Sequence, residues 1–241
     1  MSFELVPFPN NPDGLARAAA AAWLDEIESA NHAGQAHCVA LSGGRITQKF
    51  FTETVAQAAS RKTSFARVHF FWADERCVPP TDPESNFKLA DELLFTPLNI
   101  RPDQIHRLRG EIAPDDAVKI AETELRQNTS AQKNGQAVLD LILLGMGEDG
   151  HVASLFPNAG IQILDAVVPF IVIMNSPKPP PTRLSLSYAA IHVSKKVWVL
   201  ASGTGKATAL RESLDESGKT PLARVIQKHS DVKIFTDITL I

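Results

Sequence analysis

VLDLILLGMGEDGHVAS, residues 138–154, is the stretch from which the fold can be read. Its first part, 138–145, is the strongest central-strand signal in the chain, a nearly continuous apolar run of the kind a parallel sheet covers on both faces. A polar, glycine-rich segment follows without a break. Open α/β sheets place ligands beyond the carboxyl ends of their strands. One stretch therefore predicts both a central strand and a site above it.

Outward from that strand, helical and short apolar patterns alternate along the chain. Asn11, Pro12 and Asp13 make a helix start, Leu15, Ala19, Trp23 and Ile27 share one face of that helix, and Gly34 ends it. Strands are expected at 36–41, 68–73, 167–174 and 196–201. Helices are expected at 47–59, after the capping residue Ser85 with Phe87, Ala90 and Leu94 on one face, and near Pro114 with Val118, Ala121 and Leu125 inward. A further helix, after a loop at 202–205, has Ala207, Leu210 and Leu214 on one side. Pro79, Pro80 and Pro83 exclude regular structure from 74–83, and the proline run 177–181 is stiff. The tail, 221–241, is expected to add a short helix and an edge strand. This alternation predicts an α/β fold, a mainly parallel sheet flanked by helices, in a single domain over 1–241.

Composition narrows the function classes. With 241 residues, 44% hydrophobic and 21% charged, the chain has the make-up of an ordinary globular protein with a substantial core. A net charge of -3 and the lack of a basic cluster argue against nucleic acid as a partner. The most apolar runs, 138–146 and 161–174, are too short or too interrupted for a membrane span. No secretory pattern opens the sequence, and Cys38 and Cys77 are expected as free thiols, so a cytoplasmic location is expected.

Four loops carry unusual chemistry. In 41–45, Gly43 and Gly44 let the backbone approach a ligand, the following helix start can receive an anion, and Ser42 and Arg45 can add donors; a ligand-free tight turn is the alternative. In 71–78, Asp74 can accept a substrate hydroxyl proton or orient a neighbour, and the planar fork of Arg76 can clamp phosphate or carboxylate; a solvated charge cluster is the alternative. In 143–154, Asp149 and His151 suit an acid–base pair, because neutral imidazole can take a proton from water near pH 7 and return it. The fourth comes in two pieces, a rigid cationic stretch at 176–183 ending in Arg183, and 202–206, where Lys206 beside a helix start can bind a sugar phosphate; a solvated loop lysine is the alternative.

Taken in order, LSGG at 41–44, WADER at 72–76, GMGEDGHVASLFP at 145–157, SPKPPPTRLSLS at 176–187 and SGTGKA at 202–207 resemble the 6-phosphogluconolactonase family, a branch related to glucosamine-6-phosphate deaminases. The resemblance runs over most of the chain and implies a Rossmann-like fold. It also implies hydrolysis of 6-phospho-D-glucono-1,5-lactone to 6-phospho-D-gluconate, the second step of the oxidative pentose phosphate pathway, with no metal or organic cofactor. By the same resemblance His151 is the general base, Asp149 belongs to its loop, Arg76 contacts substrate, and Gly43, Gly44, Arg183 and Lys206 belong to substrate- or phosphate-binding regions. After the two glycines Arg45-Ile46-Thr47-Gln48 departs from the family's commoner serine-threonine-proline, and the segment between Pro157 and Val167 is short against the family pattern. Arg45 either strengthens anion binding or turns outward.

Other chemistries fit less well. Ser42 and Ser154 do not lie in a nucleophile elbow, the scattered histidines and cysteines form no zinc pattern, and no nicotinamide fingerprint is present. Amino-sugar phosphate deamination on the related fold is the enzymatic alternative, and a sugar-phosphate sensor the non-enzymatic one. A monomer or small homo-oligomer is expected.

Overall fold

The computed structural model describes residues 3–129, 131–133 and 135–240. Its strands, in chain order, are Glu4–Pro7 (β1), His37–Leu41 (β2), Val68–Trp72 (β3), Asp74–Arg76 (β4), Gln132–Lys133 (β5), Gln136–Ala137 (β6), Leu141–Gly145 (β7), Phe170–Ile173 (β8), Arg183–Leu186 (β9), Lys196–Ala201 (β10) and Val232–Thr236 (β11). Six of them form a parallel sheet in the order β1-β11-β10-β7-β2-β3. As its apolar run requires, β7 lies inside the sheet, with Leu141, Ile142, Leu143 and Leu144 buried between β10 and β2. The fold is α/β and Rossmann-like. Among the described residues no helix is long and apolar enough to cross a membrane.

Helix starts follow their caps. Asn11 accepts the Gly14 amide at 2.8 Å at the head of the Pro12–His32 helix, whose Leu15, Ala19, Trp23 and Ile27 are all buried. Trp23 packs its ring 5.4 Å from Phe50 of the neighbouring Arg45–Arg61 helix and donates its indole N–H to His37 Nε2 at 3.2 Å. Each such fully buried large apolar side chain stabilises the fold by roughly 1.5–3 kcal/mol. In the Pro114–Asn128 helix the inward face is Ala117, Ala121 and Leu125, while the expected Val118 is only half-buried. Cys38 and Cys77 are free thiols.

Three expectations about strands need correction. Val232–Thr236 is not an edge strand, because Glu4–Pro7 adds outside it in parallel register. That outer strand is four residues long, with no buried residue to mark it in the sequence. The 167–174 strand also lies outside the parallel sheet: Phe170–Ile173 pairs antiparallel with Arg183–Leu186 in a second sheet ordered β4-β9-β8. Finally, 74–83 is not wholly irregular. Asp74–Arg76 pairs with Arg183–Leu186 before the prolines begin, through Asp74↔Ser185 and Arg76↔Arg183. This pairing brings the second loop and the proline-rich loop together.

The chain after β2 moves to β3 on one side, and the chain after β7 moves to β10 on the other. The gap above β2 and β7 is therefore the topological switch point, where such sheets bind ligands. The loops after both strands open onto it.

Candidate active site

A cavity of about 150 Å³ lies at that gap. Ser42, Gly43, Gly44 and Arg45 line it from the first loop, Asp74 and Arg76 from the second, and Gly145, Met146, His151 and Ala153 from the third. Arg183 and Lys206 complete the wall together with Asn86 and Ile46. Every candidate residue from the sequence therefore reaches one cavity except Asp149, which stands behind His151.

The third loop is built around that pair. His151 Nδ1 is hydrogen-bonded to Asp149 Oδ1, and the His151 backbone amide donates to the same oxygen at 3.4 Å. Burial holds the imidazole pKa below its usual value, although the Asp149 carboxylate pulls the other way. Burial would raise Asp149, but its bond to His151 and the His151 charge, with Lys178 Nζ 3.9 Å away, hold it below the usual carboxylate range. Phe156 packs against the imidazole with ring centroids 4.6 Å apart. Gly147 is required here for space: a methyl group at its α-carbon would collide with the His151 ring and with Asp149. Gly147→Ala is thus expected to displace the imidazole and lower kcat on the order of 100-fold. Its melting temperature should stay close to that of the wild type; unchanged kcat would show that the imidazole position is not critical.

The first loop follows β2. Ser42 donates its hydroxyl to the Leu143 carbonyl at 2.8 Å, which ties the loop to β7 and takes up the proton it was expected to offer a ligand. Gly44 has φ 117°, a conformation that favours glycine, and the helix it caps begins at Arg45, two residues earlier than the pattern predicts. Gly44 supplies no side-chain cap, so the first-turn amides beside the cavity are left to a ligand or solvent. Arg45 is exposed on this first turn. Lys206 shares the cavity wall; burial and the neighbouring Arg45 cation lower its pKa, against Asp237 and Glu148. A dianion held between the two cations would relieve that repulsion.

The second loop is held by residues that the sequence reading passed over. Glu75 is buried and accepts from the amides of Arg76 at 2.7 Å, Asn86 at 2.8 Å and Phe87 at 2.8 Å, and from Ser85 Oγ at 3.0 Å. Burial outweighs these bonds and raises its pKa. Glu75 thereby fastens the second loop to the start of the Asn86–Ala90 helix. Asp74, also buried, accepts from Ser154 Oγ at 2.7 Å and from Asn86 Nδ2 at 3.4 Å. Arg76 donates to the Glu84 carbonyl at 2.6 Å, while its Nε has no protein partner. Arg183 is fastened to the proline loop through the carbonyls of Pro180 at 3.1 Å, Pro179 at 2.9 Å and Lys178 at 3.2 Å. Burial and the Arg76 cation lower its pKa. No group of three or more His, Cys, Asp or Glu side chains that could hold a metal ion occurs among the described residues.

The fold and site define an α/β protein with a histidine–aspartate pair facing a cationic cradle at the switch point of its sheet. A family model described as glucosamine-6-phosphate isomerases/6-phosphogluconolactonase matches residues 10–234, and the chain belongs to that family. It is 36% identical over 208 residues to a 6-phosphogluconolactonase of Treponema pallidum, covering 86% of this chain and 85% of that one. It is 34% identical over 212 residues to a 6-phosphogluconolactonase of Streptomyces coelicolor, covering 85% and 80%. The solved structure of 6-phosphogluconolactonase from Trypanosoma brucei superposes with a TM-score of 0.85 at 25% identity, covering 98% of this chain and 97% of that one.

Proposed function

We propose that this protein hydrolyses 6-phospho-D-glucono-1,5-lactone to 6-phospho-D-gluconate, acting as a carboxylic-ester hydrolase on a sugar-phosphate lactone. The observation that carries this reading is His151, backed by Asp149, on the wall of a cavity that also holds Arg45, Arg76, Arg183 and Lys206. The naming of the Treponema pallidum and Streptomyces coelicolor relatives supports the substrate.

A lactone is an internal ester, so its opening needs an activated water and stabilisation of a tetrahedral oxyanion. In this proposal His151 is the general base. Its Nδ1 is occupied by Asp149, so Nε2 takes a proton from water as the water oxygen bonds to C1. Asp149 orients the ring and supports the imidazolium that forms. Arg76 and Arg183 stabilise the negative oxygen on C1. As the bond from C1 to the ring oxygen breaks, the imidazolium returns the proton to that oxygen. Arg45, Lys206 and the amides after Gly44 hold the distant phosphate and so fix C1 against the water. Asp74 accepts a hydrogen bond from a substrate hydroxyl.

The base must be neutral to act, and burial lowers its pKa, so activity should persist into mild acid. The acid limb of kcat/KM is expected at an apparent pKa below the 6.5 of free imidazole, with activity lost as pH falls through it. A limb centred above that value would remove His151 from the role. The reaction itself is tested by offering the protein the lactone and, separately, glucosamine 6-phosphate. Accelerated lactone opening without ammonia release is expected; ammonia release without lactone opening would assign the chain to the other chemistry of its family.

A further inference from the structure

Most side chains around the cavity are cations or hydrogen-bond donors, suited to a phosphate and an oxyanion. A sugar lactone also presents ring hydroxyls, and a site that distinguishes them needs acceptors fixed in place. Asp74 is one. The structure holds a second at Asn86.

Asn86 is buried at the head of the Asn86–Ala90 helix, its backbone amide bound to Glu75. Its Nδ2 donates to the Asp74 carbonyl at 2.9 Å and lies 3.4 Å from Asp74 Oδ1. Both neighbours are acceptors, so the amide can take only one orientation: nitrogen towards Asp74, oxygen away from it. Asn86 Oδ1 consequently faces Gly43, where any side chain would collide with it, at the wall of the cavity. Among the described residues the hydrogen bonds of Asn86 are made by its backbone amide and Nδ2, and none is donated to that oxygen. Ser154 Oγ, donating to Asp74 Oδ2 at 2.7 Å, fixes the carboxylate from its other side. Two acceptors are thus held side by side, one of them neutral and without a partner.

We propose that Asn86 is a specificity-determining residue, whose Oδ1 accepts a hydrogen bond from a ring hydroxyl of the sugar lactone beside the acceptor Asp74. The inference rests on the lactonase reading above and deepens it: the pocket selects a hydroxylated ring as well as a phosphate. An analogue lacking the matching hydroxyl covers the Asn86 acceptor without pairing it and is turned over less efficiently.

The test uses the 2-, 3- and 4-deoxy analogues of the phosphorylated lactone, freshly generated and compared with the parent on the wild type, Asn86→Leu and Asn86→Ala. At least one analogue should lose on the order of 10-fold or more in kcat/KM with the wild type. The same analogue should lose no more than about twofold with either variant, since the partner of the missing hydroxyl is already gone. An Asn86 that acts only by holding Asp74 would lower parent and analogues equally or relax the same hydroxyl that Asp74→Asn relaxes, and either result in a folded variant would overturn the proposal. So would a wild type indifferent to all three deletions. No turnover of the parent by the wild type would instead defeat the lactonase reading, and this inference with it.

Discussion

His151→Ala is expected to lower kcat for lactone opening by about 10²- to 10⁴-fold, the usual contribution of a positioned general base. KM should change little, because Arg45, Arg76, Arg183 and Lys206 remain on the cavity wall. Fold and melting temperature should be kept, since the imidazole lines the cavity, bonded to the Asp149 carboxylate and packed on the Phe156 ring. A fall in kcat with an unchanged KM means that an interaction made only in the transition state has been removed. Single-turnover measurements on the variant separate this from slow product release. Near-normal kcat in a folded variant would remove His151 from the chemistry.

Lys206→Ala is expected to have the next largest effect, of the opposite kind. The ammonium stands near Arg45 on the wall of a cavity that includes the uncapped start of the Arg45–Arg61 helix. A charge-assisted hydrogen bond to phosphate contributes about 1.5–3 kcal/mol, so the phosphorylated lactone should lose roughly 10- to 150-fold in kcat/KM. Unphosphorylated glucono-1,5-lactone, which has no phosphate for the lysine to hold, should be turned over by wild type and variant at the same efficiency. An equal loss on both substrates would show that Lys206 acts at C1 rather than at the phosphate.

Much of this site was legible because its loops follow strands that are themselves legible. The apolar run ending at Gly145 could only be an inner strand, and its carboxyl end therefore had to face the ligand crevice. Asn11, Ser85 and Pro114 marked helix starts to within a residue or two, because capping is local chemistry. What escaped depends on distant pairing. The second sheet joins Asp74 to Ser185, and neither three-residue β4 nor four-residue β9 has a pattern that announces its partner. Asn86 escaped for a related reason. In sequence it is an ordinary polar residue after a cap; only the fold sets it between Gly43 and Asp74. Glu75 reads as one charge in a polar run, yet it is a buried acceptor that receives three backbone amides.

The most direct test of the account is proton release at constant pH from freshly generated 6-phospho-D-glucono-1,5-lactone, corrected for spontaneous opening. The account predicts a rate proportional to the concentration of wild-type protein and nearly abolished in His151→Ala. A folded wild type that leaves the rate at its spontaneous value would contradict it.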